Sequence, residues 1–141
     1  LGNNDTDIPG LTSTFNRIHG ELKGEIFESV YDGMKFAVYH GTNLAKKHQL
    51  IKSGKYDVFI YGHTHRKDNR YIGITRVINP GTAKGWFFGL FATIAVFDTS
   101  SRSLEFINLM ISSYRILELR LRRDSDSACS WSCYLLFNFF I

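Results

Sequence analysis

The sequence predicts a mixed α/β fold, and three local patterns carry that prediction. Residues 35–61 alternate strand, helix and strand, a βαβ pattern whose crossover implies a parallel strand pair. Asp32 and Gly33 separate two β-rich runs, which is a strong signal for a hairpin. Two apolar runs each end in Gly and His residues, as expected where strands deliver polar side chains to one edge of a sheet.

Composition and length indicate one globular domain. The 141 residues can bury a real core, and 44% apolar with 21% charged residues is typical of globular proteins. Because no apolar run is long enough to cross a bilayer, no membrane partner is expected. A net charge of +4 without a block of like charge argues against specific nucleic-acid binding. Two cysteines near the end give the body no disulfide framework, which favours a reducing compartment, the cytoplasm.

Two helices are predicted from the spacing of apolar residues. The first covers residues 11–22, with Pro9 at its start, and the second covers residues 44–53 and is closed by Gly54. On the second helix, the lysines should lie in solvent; they are Lys46, Lys47 and Lys52. His19 and His48 fall within these helices and are expected to lie outside any site.

The predicted strands share β-branched and aromatic residues between turn-forming neighbours. They cover residues 26–31, 35–39, 58–61, 71–74, 76–78, 92–97 and 103–109. Gly73 separates two of them, and Asn79-Pro80-Gly81 forms a turn because proline fixes its φ and glycine accepts a positive φ. The aromatic cluster that follows is predicted to lie in the core, with an exposed patch as the alternative; it consists of Trp86, Phe87, Phe88 and Phe91.

His63 and His65 follow the strand at residues 58–61 immediately after Gly62. In extended backbone, a spacing of two sends both imidazoles to the same side, where they could bind one metal or two adjacent metals. The alternative is a polar loop with two solvated histidines. His40, before Gly41, ends a second strand, so both strand ends could contribute to a shared site. For His40 the alternative is a histidine that only caps the sheet.

Four short motifs together indicate a family. In chain order they are Gly2-Asn3-Asn4-Asp5, Tyr39-His40-Gly41, Gly62-His63-Thr64-His65 and Asn79-Pro80-Gly81. The sequence resembles the calcineurin-like metallophosphoesterases over residues 1–109. It is most similar to the small single-domain phosphodiesterases of bacteria and archaea, which are related to the retromer scaffold subunit. The order of the motifs is also that of the family.

This resemblance implies a hydrolase with a four-layer α-β-β-α sandwich. Two divalent ions, bridged by a hydroxide that acts as the nucleophile, would cleave a small phosphodiester substrate. Asn3, His40 and His63 resemble the ligands of one metal, and His65 resembles a ligand of the other. Mn²⁺, Ni²⁺, Fe or Zn²⁺ suit such ligands. Asn4 stands where larger members carry a catalytic histidine, so no side chain here is predicted to act as the acid.

The sequence also departs from the family. The family's Asp-x-His and Gly-Asp motifs do not occur in it. We therefore expect the N-terminal strands of the sandwich to be missing from this chain, at most one ion to be well liganded, and phosphodiesterase activity to be weak or absent. An uncovered sheet edge would allow pairing with another chain, so a homo-oligomer stays open. Residues 110–141 do not resemble the family and are expected to be disordered or non-native.

Two other functions stay open at this stage. A binding scaffold of the same fold would use the surface without catalysis, and a gene fragment would have no function. A small basic cluster, Arg66, Lys67 and Arg70, could attract an anionic phosphodiester, although charged loop residues are usually only solvated.

Overall fold

The computed structural model describes residues 1–84, 91–109 and 134–137. Two helices and eight strands occur in these residues. In chain order they are α1 (Ile8–Arg17), β1 (Ile26–Tyr31), β2 (Met34–Tyr39), α2 (Leu44–Lys52), β3 (Val58–Tyr61), β4 (Asp68–Ile72), β5 (Thr75–Asn79), β6 (Thr93–Asp98), β7 (Leu104–Asn108) and β8 (Tyr134–Phe137).

A five-stranded mixed sheet positions the candidate site. Its strand order is β1-β2-β3-β5-β4, and β2, β3 and β5 run parallel to one another. The βαβ prediction is therefore confirmed. Because parallel strands end at the same edge, the residues that follow β2, β3 and β5 meet there. A second sheet, with order β7-β6-β8, is antiparallel.

The core occupies both faces of the five-stranded sheet. Successive residues of β3 point to opposite faces, so Phe59 packs toward Ile51 of α2 while Ile60 packs toward Phe97 of β6. All four residues of β3 are buried. This arrangement makes α2, the large sheet and the small sheet three successive layers, which agrees with the predicted α/β sandwich.

The hairpin predicted at Asp32 and Gly33 is present. The strand register places Tyr31 opposite Met34, so these two residues alone form the turn. Both have positive φ, 47° and 75°, which is the backbone of a type I′ turn.

The first helix differs from its prediction. It covers Ile8–Arg17 instead of residues 11–22, and it buries no residue. The Asp7 side chain accepts a hydrogen bond from Gly10 N and caps the helix earlier than expected. At the other end, His19 adopts a φ of 55° and Gly20 N donates to Phe15 O, which closes the helix. His19 therefore lies beyond the helix, not within it.

The strand predicted at residues 71–74 begins earlier, at Asp68, and ends at Ile72. It is an edge strand whose middle residues are exposed, so its polar composition hides it from a search for apolar runs. Gly73 still provides the turn, with a φ of 60°.

Two expectations concern the last part of the chain. Phe91 was predicted in the core and is 77% exposed, so that prediction is wrong for this residue. The other aromatic residues of its cluster lie outside the described residues. Of residues 110–141, only β8 is described, and the division of the chain at residue 109 stays a prediction. No helix among the described residues is long and apolar enough to span a membrane.

Candidate metal centre

Asn3 and His40 lie next to each other at the sheet edge. His40 Nε2 is 2.8 Å from Asn3 Oδ1, so Nε2 donates a proton to the amide oxygen in this arrangement. The loop that carries Asn3 is closed by Asp5, whose Oδ2 accepts from Gly2 N at 2.5 Å. Gly41, with a φ of 100°, lets the chain turn away directly after His40.

The environment of His40 favours its neutral form. The residue is only 5% exposed. Burial lowers the pKa of His40 below 6.5, and the nearby His63 lowers this pKa further, while the carboxylate of Asp5 opposes both. A neutral imidazole is the form that binds metal ions, so a depressed pKa keeps His40 ready to do so. His40 also borders a cavity of about 410 Å³.

His63 is brought to His40 by the loop after β3. Gly62 N donates to His40 O at 3.0 Å, and the two imidazole rings lie edge to face with centroids 5.3 Å apart. The prediction of an extended His63-Thr64-His65 segment is wrong. His63 and His65 have φ angles of 62° and 56°, in the left-handed region that only a few non-glycine residues adopt. Their positions therefore come from a strained loop, not from strand alternation.

Asn79 holds this loop in place, and the sequence analysis assigned it only to a turn. It is fully buried. Its Nδ2 donates to Gly62 O at 2.9 Å and to Thr64 Oγ1 at 3.0 Å, and its Oδ1 accepts from Gly81 N at 2.9 Å. One amide thus joins the end of β5 to the His63 loop. The Asn-Pro-Gly motif marked the position, but its spacing did not reveal the contact.

The described residues supply some, but not all, of the ligands that one divalent ion needs. Asn3 Oδ1 and His40 Nε2 have the separation of about 3 Å that two neighbouring ligands show when each bond is about 2.1 Å. His63 lies beside them, and His65 also acts electrostatically on His40. Among the described residues, no group of three or more His, Cys, Asp or Glu could hold a metal ion. The described donors are therefore one amide and imidazoles, without a bridging carboxylate.

The remaining histidines stay apart from this group. His48 is exposed on α2, and His19 is exposed just beyond α1. Neither acts on the pKa of His40, whereas His63 and His65 do. That His19 and His48 lie outside any site stays a prediction.

The burial of Lys47 differs from its prediction. It was predicted to lie in solvent with its helical neighbours, yet it is only 8% exposed and its Nζ lies 4.4 Å from the centroid of the Tyr61 ring. Burial lowers the pKa of Lys47, the nearby Arg70 lowers it further, and Asp68 opposes them. The helix alone could not reveal this burial, because it depends on Tyr61 at the end of β3.

Tyr61 makes a part-buried hydrogen bond that should affect the stability of the protein at alkaline pH. Its hydroxyl donates to Asp68 Oδ2 at 2.8 Å, and burial together with this bond and charge raises its pKa from 10 to about 12. Because the folded-state pKa lies above the unfolded one, this stabilisation is complete below about pH 10 and is lost as the pH rises through about 12. We expect the free energy of unfolding of Tyr61→Phe to fall less steeply than that of the unmodified chain as the pH rises through this window. Urea unfolding at several pH values measures the difference.

The matched control for that prediction is Tyr71→Phe, since Tyr71 is 67% exposed. Its pH profile should follow that of the unmodified chain. Identical profiles for all three proteins would show that the Tyr61 hydroxyl does not contribute in this way.

Comparison with known proteins gives one family match. Residues 1–102 match the calcineurin-like phosphoesterase superfamily domain. A protein from Methanocaldococcus jannaschii named as a phosphodiesterase is 38% identical over 102 residues, which are 72% of this chain and 61% of that protein. The chain therefore spans less than two thirds of the length of this relative.

Two solved structures show similarity to this chain, to different degrees. One, described as a novel archaeal phosphodiesterase, is 34% identical and superposes with a TM-score of 0.69, covering 77% of this chain and 66% of that one. The other is a Vps29 from Entamoeba histolytica, crystallised with Zn²⁺, at 18% identity and a TM-score of 0.44, covering 64% of this chain and 63% of that one. The second similarity is too low to support any inference about this chain.

Proposed function

This chain belongs to the calcineurin-like phosphoesterase superfamily, and from that premise we propose that it takes part in metal-dependent hydrolysis of a small phosphodiester. The observation that carries the proposal is the convergence of Asn3, His40 and His63 at one sheet edge, from three separate segments. The archaeal relative named as a phosphodiesterase supports the same reaction class. The M. jannaschii protein is longer than the matched region, so the activity is proposed for the domain to which this chain contributes.

The residues at the site have separate tasks in this proposal. Asn3, His40 and His63 would hold a divalent ion, and His65 would serve a second one. Such ions supply charge that stabilises the phosphoryl oxygens and lowers the pKa of a bound water. His40 is suited to bind because burial keeps it neutral. Asp5 and Asn79 are positioning residues, since each hydrogen-bonds the backbone of a loop that carries a ligand.

The ligand chemistry also sets what this chain can do alone. Imidazole and amide donors suit Mn²⁺, Ni²⁺, Fe or Zn²⁺ better than Ca²⁺ or Mg²⁺. We propose that the chain binds about one such ion well and turns over phosphodiesters weakly, because a second ion would have only His65 among the predicted ligands. We propose that the protein is located in the cytoplasm. Residues 1–109 contain no cysteine and therefore no disulfide, as is typical of proteins in a reducing compartment.

The test is hydrolysis of bis(4-nitrophenyl) phosphate by the purified chain, with Mn²⁺ or with a chelator. We expect slow, Mn²⁺-dependent release of nitrophenol that falls to the uncatalysed level in His63→Ala and persists in His48→Ala. Both residues are exposed, so neither change should affect folding. Turnover that survives the chelator or His63→Ala would refute the proposal. Metal binding with no turnover at all would favour the scaffold alternative, and fast turnover would overturn the expected impairment.

A further inference from the structure

Lys47 is a largely buried residue on α2. It is 8% exposed, and its Nζ lies over the Tyr61 ring. Within the described part of the chain, its ammonium makes no hydrogen bond or ion pair. Its neighbour Lys46 differs, because it forms an ion pair with Glu25. A buried charge is costly unless it is paired, and among the described residues the Tyr61 ring and the charge of Asp68 are what offset this cost.

Arg70 lies close enough to act on Lys47 and shares its surroundings. Arg70 Nε is 3.2 Å from Asp68 Oδ2, and the same oxygen accepts the Tyr61 hydroxyl at 2.8 Å. The terminal nitrogens of Arg70 make no hydrogen bond to any residue that the structure describes. Two cations therefore face a single carboxylate, which leaves an excess of one positive charge.

This cluster adjoins the candidate metal centre. A Cβ atom placed on Gly41 would lie 3.5 Å from Tyr61 Cδ2, 3.7 Å from His63 Cβ and 3.8 Å from Lys47 Cδ. The aliphatic stem of Lys47 and the Cβ of His63 therefore both lie next to the backbone of Gly41, which follows His40. A ligand held at the metal centre could extend from there to the two cations.

We propose that Lys47 and Arg70 bind a phosphoryl group of the substrate other than the one that is hydrolysed. This inference rests on the proposed function and deepens it, because it assigns the substrate a second phosphate. An arginine fork beside a lysine ammonium suits phosphoryl oxygens, and charge-assisted bonds of this kind are strong in a partly buried site. A bound anion would also offset the burial and the neighbouring charge that together lower the pKa of Lys47.

The first experiment measures binding of inorganic phosphate to the chain by calorimetry, at constant ionic strength and in the presence of a chelator. Removing metal separates this site from the proposed metal centre, so the result does not depend on hydrolysis. We expect saturable binding that weakens at least about tenfold in Lys47→Met. Methionine keeps a long flexible side chain against Tyr61, which limits damage to packing.

Three further variants make the result specific. Arg70→Gln should weaken binding several-fold, and because Arg70 is exposed, loss of its ion pair with Asp68 should change the free energy of unfolding by no more than about 1 kcal/mol. Lys46→Met is the matched control on the same helix and should bind as the unmodified chain does. His63→Ala should also bind normally in the chelator. No saturable binding, equal weakening by Lys46→Met, or loss of binding in His63→Ala would overturn the inference.

A second ligand tests whether the phosphate belongs to a substrate. Phenyl phosphate carries the same phosphoryl group on an organic molecule, and it should bind with the same dependence on Lys47 and Arg70. If inorganic phosphate binds and phenyl phosphate does not, the cluster is a site for the free ion only and the substrate assignment is wrong.

Discussion

Replacing His63 with alanine is expected to abolish stable binding of Mn²⁺ by this chain. His63 is exposed and lies edge to face with His40, so its loss removes a donor without opening the core. Removing a residue that only hydrogen-bonds to a metal ligand costs about 10- to 100-fold in metal affinity, so removing a ligand itself should cost more. Elemental analysis after dialysis against Mn²⁺ should find about one ion per unmodified chain and nearly none in His63→Ala.

Two further variants complete this test. Asn3→Ala changes an exposed residue and should also reduce the metal content, because its Oδ1 lies beside His40 Nε2. His48→Ala is the matched control, since His48 is an exposed histidine on α2, and its metal content should not change. If all of these proteins retained the ion equally, Asn3 and His63 would not be ligands and the proposed centre would be wrong.

Asn79→Ala is expected to lower the free energy of unfolding by about 3 kcal/mol. The change leaves two buried backbone groups, at Gly62 and Gly81, and the part-buried hydroxyl of Thr64 without their partner. Unsatisfied buried polar groups cost about 1–3 kcal/mol each, although some relaxation or water entry will reduce the sum. Urea unfolding monitored by circular dichroism measures the difference.

The same variant should also affect the site. With the loop after β3 released, we expect Mn²⁺ affinity to fall even though no proposed ligand has been changed. Asn69→Ala is the control, because Asn69 is exposed on the neighbouring strand and its side chain bonds only Arg76 among the described residues. It should cost less than about 1 kcal/mol and leave metal binding intact. Equal stability of the two variants would show that Asn79 does not hold the loop.

Local patterns determined much of the fold. The βαβ unit, the Asp32-Gly33 hairpin and the buried strand β3 were predictable because each depends on neighbours within a few residues: apolar runs, turn formers and crossover length. The position of His40 and His63 at the end of adjacent strands followed for the same reason. Membership of the family also followed from four short motifs in the correct order.

Other features were decided only by the tertiary structure. The burial of Lys47 depends on Tyr61, and the left-handed backbone of His63 and His65 depends on the bonds that Asn79 makes to their loop from the neighbouring strand. Each of these contacts joins residues that sequence periodicity treats as independent. A sequence pattern predicts which face of a strand or helix a side chain occupies. The residues that the side chain contacts there depend on how distant segments pack. Those contacts decide the charge state, the backbone strain and the role of the residue.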